Sequence, residues 1–148
     1  MHKHHVWTRA FLRSVFVGLA LLAFAGCAQQ APKPEKPGFV IQVSDNDPAK
    51  WNLALNNAKN VQKDLGADKA EVEIVAYGPG LNMLKAESEV ANRIQDALKD
   101  GVKVVACGNT MKGMKLEKAD LVPGVAVVKA GVLEIGEKQR AGWTYIRP

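Results

Sequence analysis

The residues best suited to chemistry in this 148-residue chain lie in the segment Val102–Thr110, V-K-V-V-A-C-G-N-T. Its apolar run predicts a buried strand that ends at Cys107, and the small residues that follow predict a turn into a helical segment. The backbone N–H groups of Gly108, Asn109 and Thr110 would then point towards the sulfur. Because the thiolate is the nucleophilic form and a helix start favours negative charge, this setting suits sulfur transfer or thiol redox chemistry.

Two lysines follow this turn and bear on the same chemistry. Lys112 and Lys115 would add positive charge if they face the sulfur. The predicted site is therefore Cys107 as the reacting residue, with Gly108, Asn109, Thr110 and Lys112 as binding residues. The alternative is a structural role, because cysteine is among the most buried residue types and could simply complete the strand. The residues leave both interpretations open.

The N-terminus carries the pattern of a secretory signal peptide, predicted over residues 1–26. Basic residues precede the apolar run Val15–Ala25, which is shorter than the roughly 20 residues that span a bilayer. The ending Phe24–Cys27, F-A-G-C, resembles a bacterial lipobox, which implies that Cys27 is lipidated and begins the mature chain. Cleavage by an ordinary signal peptidase, leaving Cys27 as a thiol, is the alternative. Residues 27–37 then predict a proline-containing tether, and residues 38–148 the folded domain.

Lipidation predicts a protein on the periplasmic side of a bacterial membrane, held there by a lipid anchor. Ala28 follows the cysteine, and this resembles the sorting pattern of proteins that go on to the outer membrane.

Removal of the signal excludes several kinds of site. All three histidines precede residue 6, so the mature chain has no Cys–His or Ser–His pair and no histidine metal ligand. Cys107 is then a single thiol without a disulfide partner in its own chain. The chain has no dinucleotide-binding or Walker motif, and we expect no metal and no cofactor.

The charge balance argues against nucleic-acid binding. Three of the 20 Lys and Arg residues lie in the signal, so the remainder only slightly exceeds the 15 acidic residues. No long basic run remains, and aromatic residues make up 6% of the chain.

Apolar runs alternate with segments of helical periodicity along the rest of the chain. Five strands are predicted, at Phe39–Val43, Glu71–Tyr77, Val102–Cys107, Val125–Val128 and Trp143–Ile146. The alternation predicts an α/β protein with a three-layer, flavodoxin-like architecture and a five-stranded, mainly parallel sheet.

The helices are predicted from their start and stop signals. Asp47 and Pro48 mark the start of the first helix, and Gly66 its end. Ser88 is the expected cap of the second helix, and Gly101 its stop. Thr110–Lys115 predicts a short helix or turn, and Gly131–Arg140 the last helix.

Ligands of parallel sheets lie beyond the carboxyl ends of the strands. Three predicted loops share that edge: Ser44–Asp47, Tyr77–Gly80 and Cys107–Lys112. The G-P-G sequence of residues 78–80 is interpreted as a strand-breaking loop.

Three segments carry a family resemblance: C-G-N-T-M from Cys107, P-G-V-A-V-V-K-A-G-V-L-E-I from Pro123, and Q-R-A-G-W-T-Y-I-R-P from Gln139. Together they resemble the DsrE/DsrF-like family, closest to its small single-domain members, over about residues 38–148. The resemblance implies a flavodoxin-like fold and assembly as homotrimers or homohexamers. It also implies that Cys107 lies where single-domain relatives have their proposed active cysteine, which in sulfur-relay members carries a persulfide passed between proteins.

Relay complexes of this kind are usually cytoplasmic and contain several different subunits. An exported chain therefore argues against tRNA thiolation and leaves sulfur handling in the periplasm, with a sulfur-donor or sulfur-acceptor protein as partner. A non-enzymatic oligomeric binding or assembly module with a structural Cys107 is the alternative function. Redox sensing through a disulfide between two copies of Cys107 is a third hypothesis.

Overall fold

The computed structural model of the protein describes residues 36–148. The predicted signal peptide, Cys27 and nearly all of the predicted tether lie outside these described residues, so they remain predictions. The described residues form five strands, four α-helices and two short 3₁₀ segments. The strands are β1 (Gly38–Val43), β2 (Glu71–Ala76), β3 (Lys103–Cys107), β4 (Ala126–Val128) and β5 (Thr144–Ile146).

The helices are α1 (Pro48–Leu65), α2 (Ala91–Lys99), α3 (Gly108–Met114) and α4 (Gly131–Arg140), with 3₁₀ segments at Gly78–Leu84 and Lys118–Asp120. All four strand pairings are parallel, and the strand order is β4-β3-β2-β1-β5. The predicted α/β architecture is confirmed, with a sheet that is parallel throughout.

Local capping explains where α1 begins and ends. The Asp47 side chain accepts a hydrogen bond from the N–H of Ala49 at 2.9 Å, and Pro48 occupies the first turn. Gly66 ends the helix with φ of 98°, a conformation that costs glycine little. The predicted limits of this helix are confirmed.

The predicted cap of α2 is wrong. The helix begins after Val90, which makes no side-chain cap, and Ser88 lies in the preceding turn. Its carbonyl accepts the N–H of Ala91 at 2.9 Å, while its hydroxyl lies 3.4 Å from the Val90 nitrogen. Residues 86–90 form turns instead of helix, and the Ala86 N–H at their start donates to the Asp120 carbonyl at 2.8 Å.

The G-P-G segment is a 3₁₀ helix and not a loop. It continues through Leu84 and buries Leu81, Met83 and Leu84 completely in the core. A Cβ on Gly80 would lie 2.4 Å from the Val43 carbonyl oxygen, so only glycine allows this close approach to the end of β1. The segment therefore lies tightly over the carboxyl edge of the sheet.

The two faces of the sheet are covered unequally. On the face that packs against α1, α2 and α3, 21 buried apolar residues form one cluster. The opposite face is covered by α4, and its buried cluster contains four residues: Val40, Val75, Val105 and Ile135. The right-handedness of parallel crossovers explains this unequal covering. From β1 to β4 the connections after the central strands run in one direction across the sheet and place their helices on one face. The connection from β4 to β5 runs in the opposite direction and therefore places α4 on the other face. Within residues 36–148, no helix is long and apolar enough to cross a membrane.

Candidate functional site

Cys107 lies at the point where the connections of two neighbouring strands diverge. The chain leaves β3 towards the α3 face and leaves β4 towards the α4 face, an arrangement at which α/β proteins commonly bind their ligands. The Cys107 side chain lies on the α4 side, because a Cβ on Gly131, the first residue of α4, would lie 3.3 Å from the Cys107 Cβ. The cysteine is only 6% exposed.

Hydrogen-bond donors at the starts of α3 and α4 lie near the Cys107 sulfur. They are the Thr110 hydroxyl and the backbone N–H groups of Gly131, Thr110 and Asn109. Burial raises the pKa of the Cys107 thiol, but these hydrogen bonds outweigh it, so the pKa lies below the usual value of 9.0. The site therefore stabilises the thiolate of Cys107 relative to that of an ordinary thiol.

Thr110 links the surroundings of the Cys107 sulfur to the segment that follows β2. Its hydroxyl oxygen accepts the backbone N–H of Gly78 at 2.9 Å. This leaves the hydroxyl hydrogen to donate to the Cys107 sulfur, which lowers the pKa of the thiol. The 3₁₀ segment after β2 and the first turn of α3 thus meet beside the thiol. The predicted loop Cys107–Lys112 is wrong, because α3 begins at Gly108, directly after β3.

Gly131 is the site residue that sequence reasoning missed. Its absent side chain lets α4 approach the sheet closely, since a Cβ there would lie 3.1 Å from the Tyr77 Cβ and 3.2 Å from Val75 Cγ1. The N–H at this helix start can then donate to the Cys107 sulfur. The available signal was topological: a helix that follows β4 must begin at the same edge where β3 ends.

The other predicted site residues lie near Cys107 but differ in what they touch. Gly108 packs against β4, where a Cβ would lie 3.0 Å from the Val128 carbonyl oxygen. The N–H of Asn109 also donates to the Lys129 carbonyl at 3.2 Å, so the sulfur receives only part of this hydrogen bond. Lys112 is exposed and lines an open groove of about 570 Å³ between α3 and β4. The groups that lower the Cys107 pKa most are hydrogen-bond donors and not lysines.

Comparison with known proteins identifies the family. The family model described as DsrE/DsrF-like matches residues 37–148. The chain belongs to the DsrE/DsrF-like family. No match was found among curated proteins.

Solved structures share the fold of this DsrE-like protein. The MTH1491 protein of Methanobacterium thermoautotrophicum, a protein of unknown function, is 34% identical, with a TM-score of 0.73. The match covers 76% of this chain and 100% of that one. The BT1422 protein of Bacteroides thetaiotaomicron, also of unknown function, is 16% identical, with 80% and 99% covered and a TM-score of 0.62. The ychN protein of E. coli is 11% identical, with 77% and 99% covered and a TM-score of 0.62. The last two show the fold alone.

The remaining edge loop of the DsrE-like domain is built around Asp45. A hydrogen bond from Lys50, at 2.7 Å, holds the pKa of the Asp45 carboxyl below its usual value, with a further contribution from Arg147. The Asp45 carbonyl accepts the Trp51 indole N–H at 2.8 Å. Asp45 therefore stays ionised and bound within its own loop, which does not suit a proton donor.

Tyr77 lies between this loop and the thiol. Burial raises the pKa of its phenol, as do the charges of Tyr145 and Cys107 nearby. The phenol is thus neutral at physiological pH and presents a half-buried wall beside the sulfur. Within residues 36–148, no cluster of three or more His, Cys, Asp or Glu residues is placed to hold a metal ion.

Proposed function

We propose that the protein is a sulfur carrier in which Cys107 accepts sulfane sulfur as a persulfide and passes it to another thiol. The observation that carries the proposal is the position of Cys107 at the carboxyl end of β3, between the first turns of α3 and α4, where a Cβ on Gly131 would lie 3.3 Å from the Cys107 Cβ. The Thr110 hydroxyl and the N–H groups of these turns lower the pKa of the thiol. Burial in apolar surroundings alone makes a cysteine inert by raising its pKa. The Thr110 hydroxyl and the nearby backbone N–H groups reverse this effect, and such donors suit an anionic sulfur better than a structural thiol.

The transfer step needs no external oxidant or reductant. The Cys107 thiolate attacks the terminal sulfur of a donor persulfide, R–S–SH. A new S–S bond forms at Cys107, the S–S bond of the donor breaks, and the donor leaves as the thiolate R–S⁻. In the reverse sense, an acceptor thiolate takes the terminal sulfur and Cys107 leaves as a thiolate, which the same N–H groups stabilise.

A sulfur-loading experiment tests the proposal. The full chain carrying Cys27→Ser contains Cys107 as its single thiol. We expect incubation with inorganic polysulfide or thiosulfate to add the mass of one sulfur atom, removable by a reductant, and expect no addition in a chain that also carries Cys107→Ser. With thiosulfate the leaving group is sulfite. Absence of any adduct with both donors would contradict the proposal.

We propose a homotrimer or homohexamer as the assembled form. Two apolar side chains beside the thiol support self-association: Val132 is 64% exposed and Leu133 is 57% exposed, in the first turn of α4. We expect Leu133→Glu to reduce the mass measured by light scattering. Leu53→Glu, at a 46% exposed position on α1, is the control and should leave the mass unchanged. An unchanged mass in the Leu133 variant would count against this surface.

The proposed location is the periplasmic side of the outer membrane, through a lipid on Cys27. Labelling of cells with a radioactive fatty acid should mark the wild-type chain and not Cys27→Ser. Equal labelling of both would exclude lipidation at this cysteine.

The low exposure of Cys107 itself favours a second candidate, an oligomeric binding or assembly module with a structural thiol. This candidate requires that Cys107 resist alkylation in the native protein and that Cys107→Ala affect stability alone. Native alkylation that is faster than that of an unperturbed thiol at neutral pH would exclude it.

A further inference from the structure

A buried ion pair lies under α4, away from the thiol. Glu73, in the middle of β2, is 2% exposed, and its Oε2 lies 2.8 Å from the Lys138 Nζ of α4. Its other oxygen, Oε1, has no hydrogen-bond partner among the described residues. Burial raises the pKa of the Glu73 carboxyl, and Lys138 opposes this. Burying such a pair commonly contributes little net stability, because desolvation offsets the attraction.

Lys138 is held on three sides. Glu134, one turn earlier in α4, places Oε1 3.5 Å from the Lys138 Nζ, and the ammonium lies 4.3 Å from the centre of the Trp143 ring. The Trp143 ring in turn covers Gly38, where a Cβ would lie 2.2 Å from ring atoms. The lysine is therefore fixed relative to the start of β1 as well as to β2.

Apolar packing alone holds α4 weakly. Of the ten residues of the helix, only Gly131 and Ile135 are buried, whereas Val132 and Leu133 are exposed. The opposite face of the sheet has a far larger cluster of 21 buried apolar residues. The position of α4 on the sheet therefore depends strongly on its contacts at Gly131 and Lys138.

These two contacts lie on one stripe of the helix. Lys138 follows Gly131 by seven residues, which is about two turns and about 10 Å along the axis. At one end, Gly131 lies against Cys107, where a Cβ on the glycine would be 3.3 Å from the Cys107 Cβ, and its N–H lowers the pKa of the thiol. At the other end, Lys138 pairs with Glu73. A helix fixed at both ends cannot slide or tilt without breaking one of these contacts.

We propose that the Glu73–Lys138 pair is a positioning device that keeps the first turn of α4, with the Gly131 N–H, on the sulfur of Cys107. This rests on the proposed sulfur-carrying role of Cys107. The pair touches neither the thiol nor a substrate, and it acts through the helix. An apolar pair of similar volume would fill the same space but would fix neither the axial position nor the tilt of α4.

The test compares thiol titration with stability in the full Cys27→Ser chain. Lys138→Met removes the ammonium and keeps much of the side-chain length. We expect the thiol pKa of Cys107 to rise, with alkylation at neutral pH about three- to tenfold slower, as for the loss of one hydrogen bond. Lys138→Arg keeps a cation and hydrogen-bond donors, and should retain most of the wild-type rate.

A double variant separates positioning from simple stabilisation. Glu73→Leu combined with Lys138→Met replaces the pair by apolar groups, and should unfold at a urea concentration near or above that of the parent chain. Its thiol pKa should nevertheless stay raised. Should Lys138→Met fail to fold, this variant still decides the question. A return of the thiol pKa to the parent value in the double variant would overturn the proposal.

Lys103→Met is the matched control. Lys103 pairs with Glu71 at 3.3 Å on the same sheet, but both side chains are largely exposed and the pair does not involve α4. Its loss should leave the thiol pKa unchanged, and an equal rise in the control would overturn the proposal. The titration uses no sulfur donor. A failure of sulfur loading would therefore refute the proposed function without deciding the role of the ion pair.

Discussion

At Cys107, burial and hydrogen bonding act on the thiol in opposite directions. Burial disfavours the thiolate, while the Thr110 hydroxyl and the N–H groups of Gly131, Thr110 and Asn109 favour it. The net result is a lowered pKa of the thiol, and residues 36–148 contain no histidine to act as a base. The lowered pKa of this cysteine thus comes from hydrogen-bond donors fixed by the fold, without a neighbouring histidine.

Removing the Thr110 hydroxyl tests the largest of these hydrogen bonds. In Thr110→Val we expect a higher pKa for Cys107 and slower alkylation at neutral pH, because the sulfur loses a donor. The N–H of Gly78 also loses its acceptor, so the free energy of unfolding should fall by about 1 kcal/mol. Thr110→Ser keeps the hydroxyl and should preserve both values. Equal alkylation rates in the Val and Ser variants would contradict this role.

The lowered pKa also predicts a pH dependence of stability. Since the folded chain releases the thiol proton at lower pH than the unfolded chain, the free energy of unfolding gains a contribution as pH rises between the two pKa values. The gain is complete above the unfolded value and is lost as pH falls through the folded one. Measured by urea unfolding, the free energy of unfolding of the Cys27→Ser chain should therefore increase towards about pH 9, relative to that of a chain that also carries Cys107→Ser. A constant difference across this range would contradict the shift.

At the scale of elements, the sequence predicted the limits of a helix correctly where the residues at those limits determine them. Asp47 and Pro48 began α1 as predicted, and Gly131–Arg140 matched the last helix. The sequence predictions were wrong where a contact with a distant part of the chain determines the local structure. Nothing local to Ser88 reveals that the nearby Ala86 N–H donates to the Asp120 carbonyl. Gly80 likewise gives no sign in sequence of its approach to the end of β1.

Two glycines of α4 provide a matched pair of substitutions. Gly131→Ala places a methyl group 3.1–3.3 Å from atoms of Tyr77, Val75 and Cys107, so the helix start or these side chains must move by a few tenths of an ångström. We expect a loss of about 1–3 kcal/mol in the free energy of unfolding and slower alkylation of Cys107. Gly136→Ala meets only the end of Arg140, at 3.6 Å, and should stabilise the helix by up to about 1 kcal/mol. Urea unfolding and thiol titration of both variants check this. Identical effects would show that helix propensity alone matters.

At the scale of the molecule, the alternation of strands and helices was sufficient to predict the parallel α/β fold. It did not predict the strand order, in which β4 lies next to β3 and β5 lies next to β1. Because of that order, α4 covers the face of the sheet opposite α1, α2 and α3, and Gly131 lies beside Cys107. Cys107 and Thr110 of the candidate site were accordingly predictable, because they lie three residues apart in the sequence, whereas Gly131 reaches the site only through the return crossover.

The burial of Glu73 was also hidden in the sequence. Alternation of Glu71 and Glu73 with apolar residues is typical of a half-exposed strand. Both glutamates lie on the α4 face, but α4 covers Glu73 and leaves Glu71 exposed. Only the path of the last crossover distinguishes the two positions.

The most direct test of the central claim is the titration of the Cys107 thiol in the native protein. Ultraviolet thiolate absorbance of the full Cys27→Ser chain, corrected with a chain that also carries Cys107→Ser, measures ionisation without requiring a reagent to reach the 6% exposed residue. We predict a midpoint below that of the same chain unfolded in urea. A native midpoint at or above the unfolded one would show that burial outweighs the hydrogen bonds, and would contradict the proposal that Cys107 carries sulfur as a thiolate.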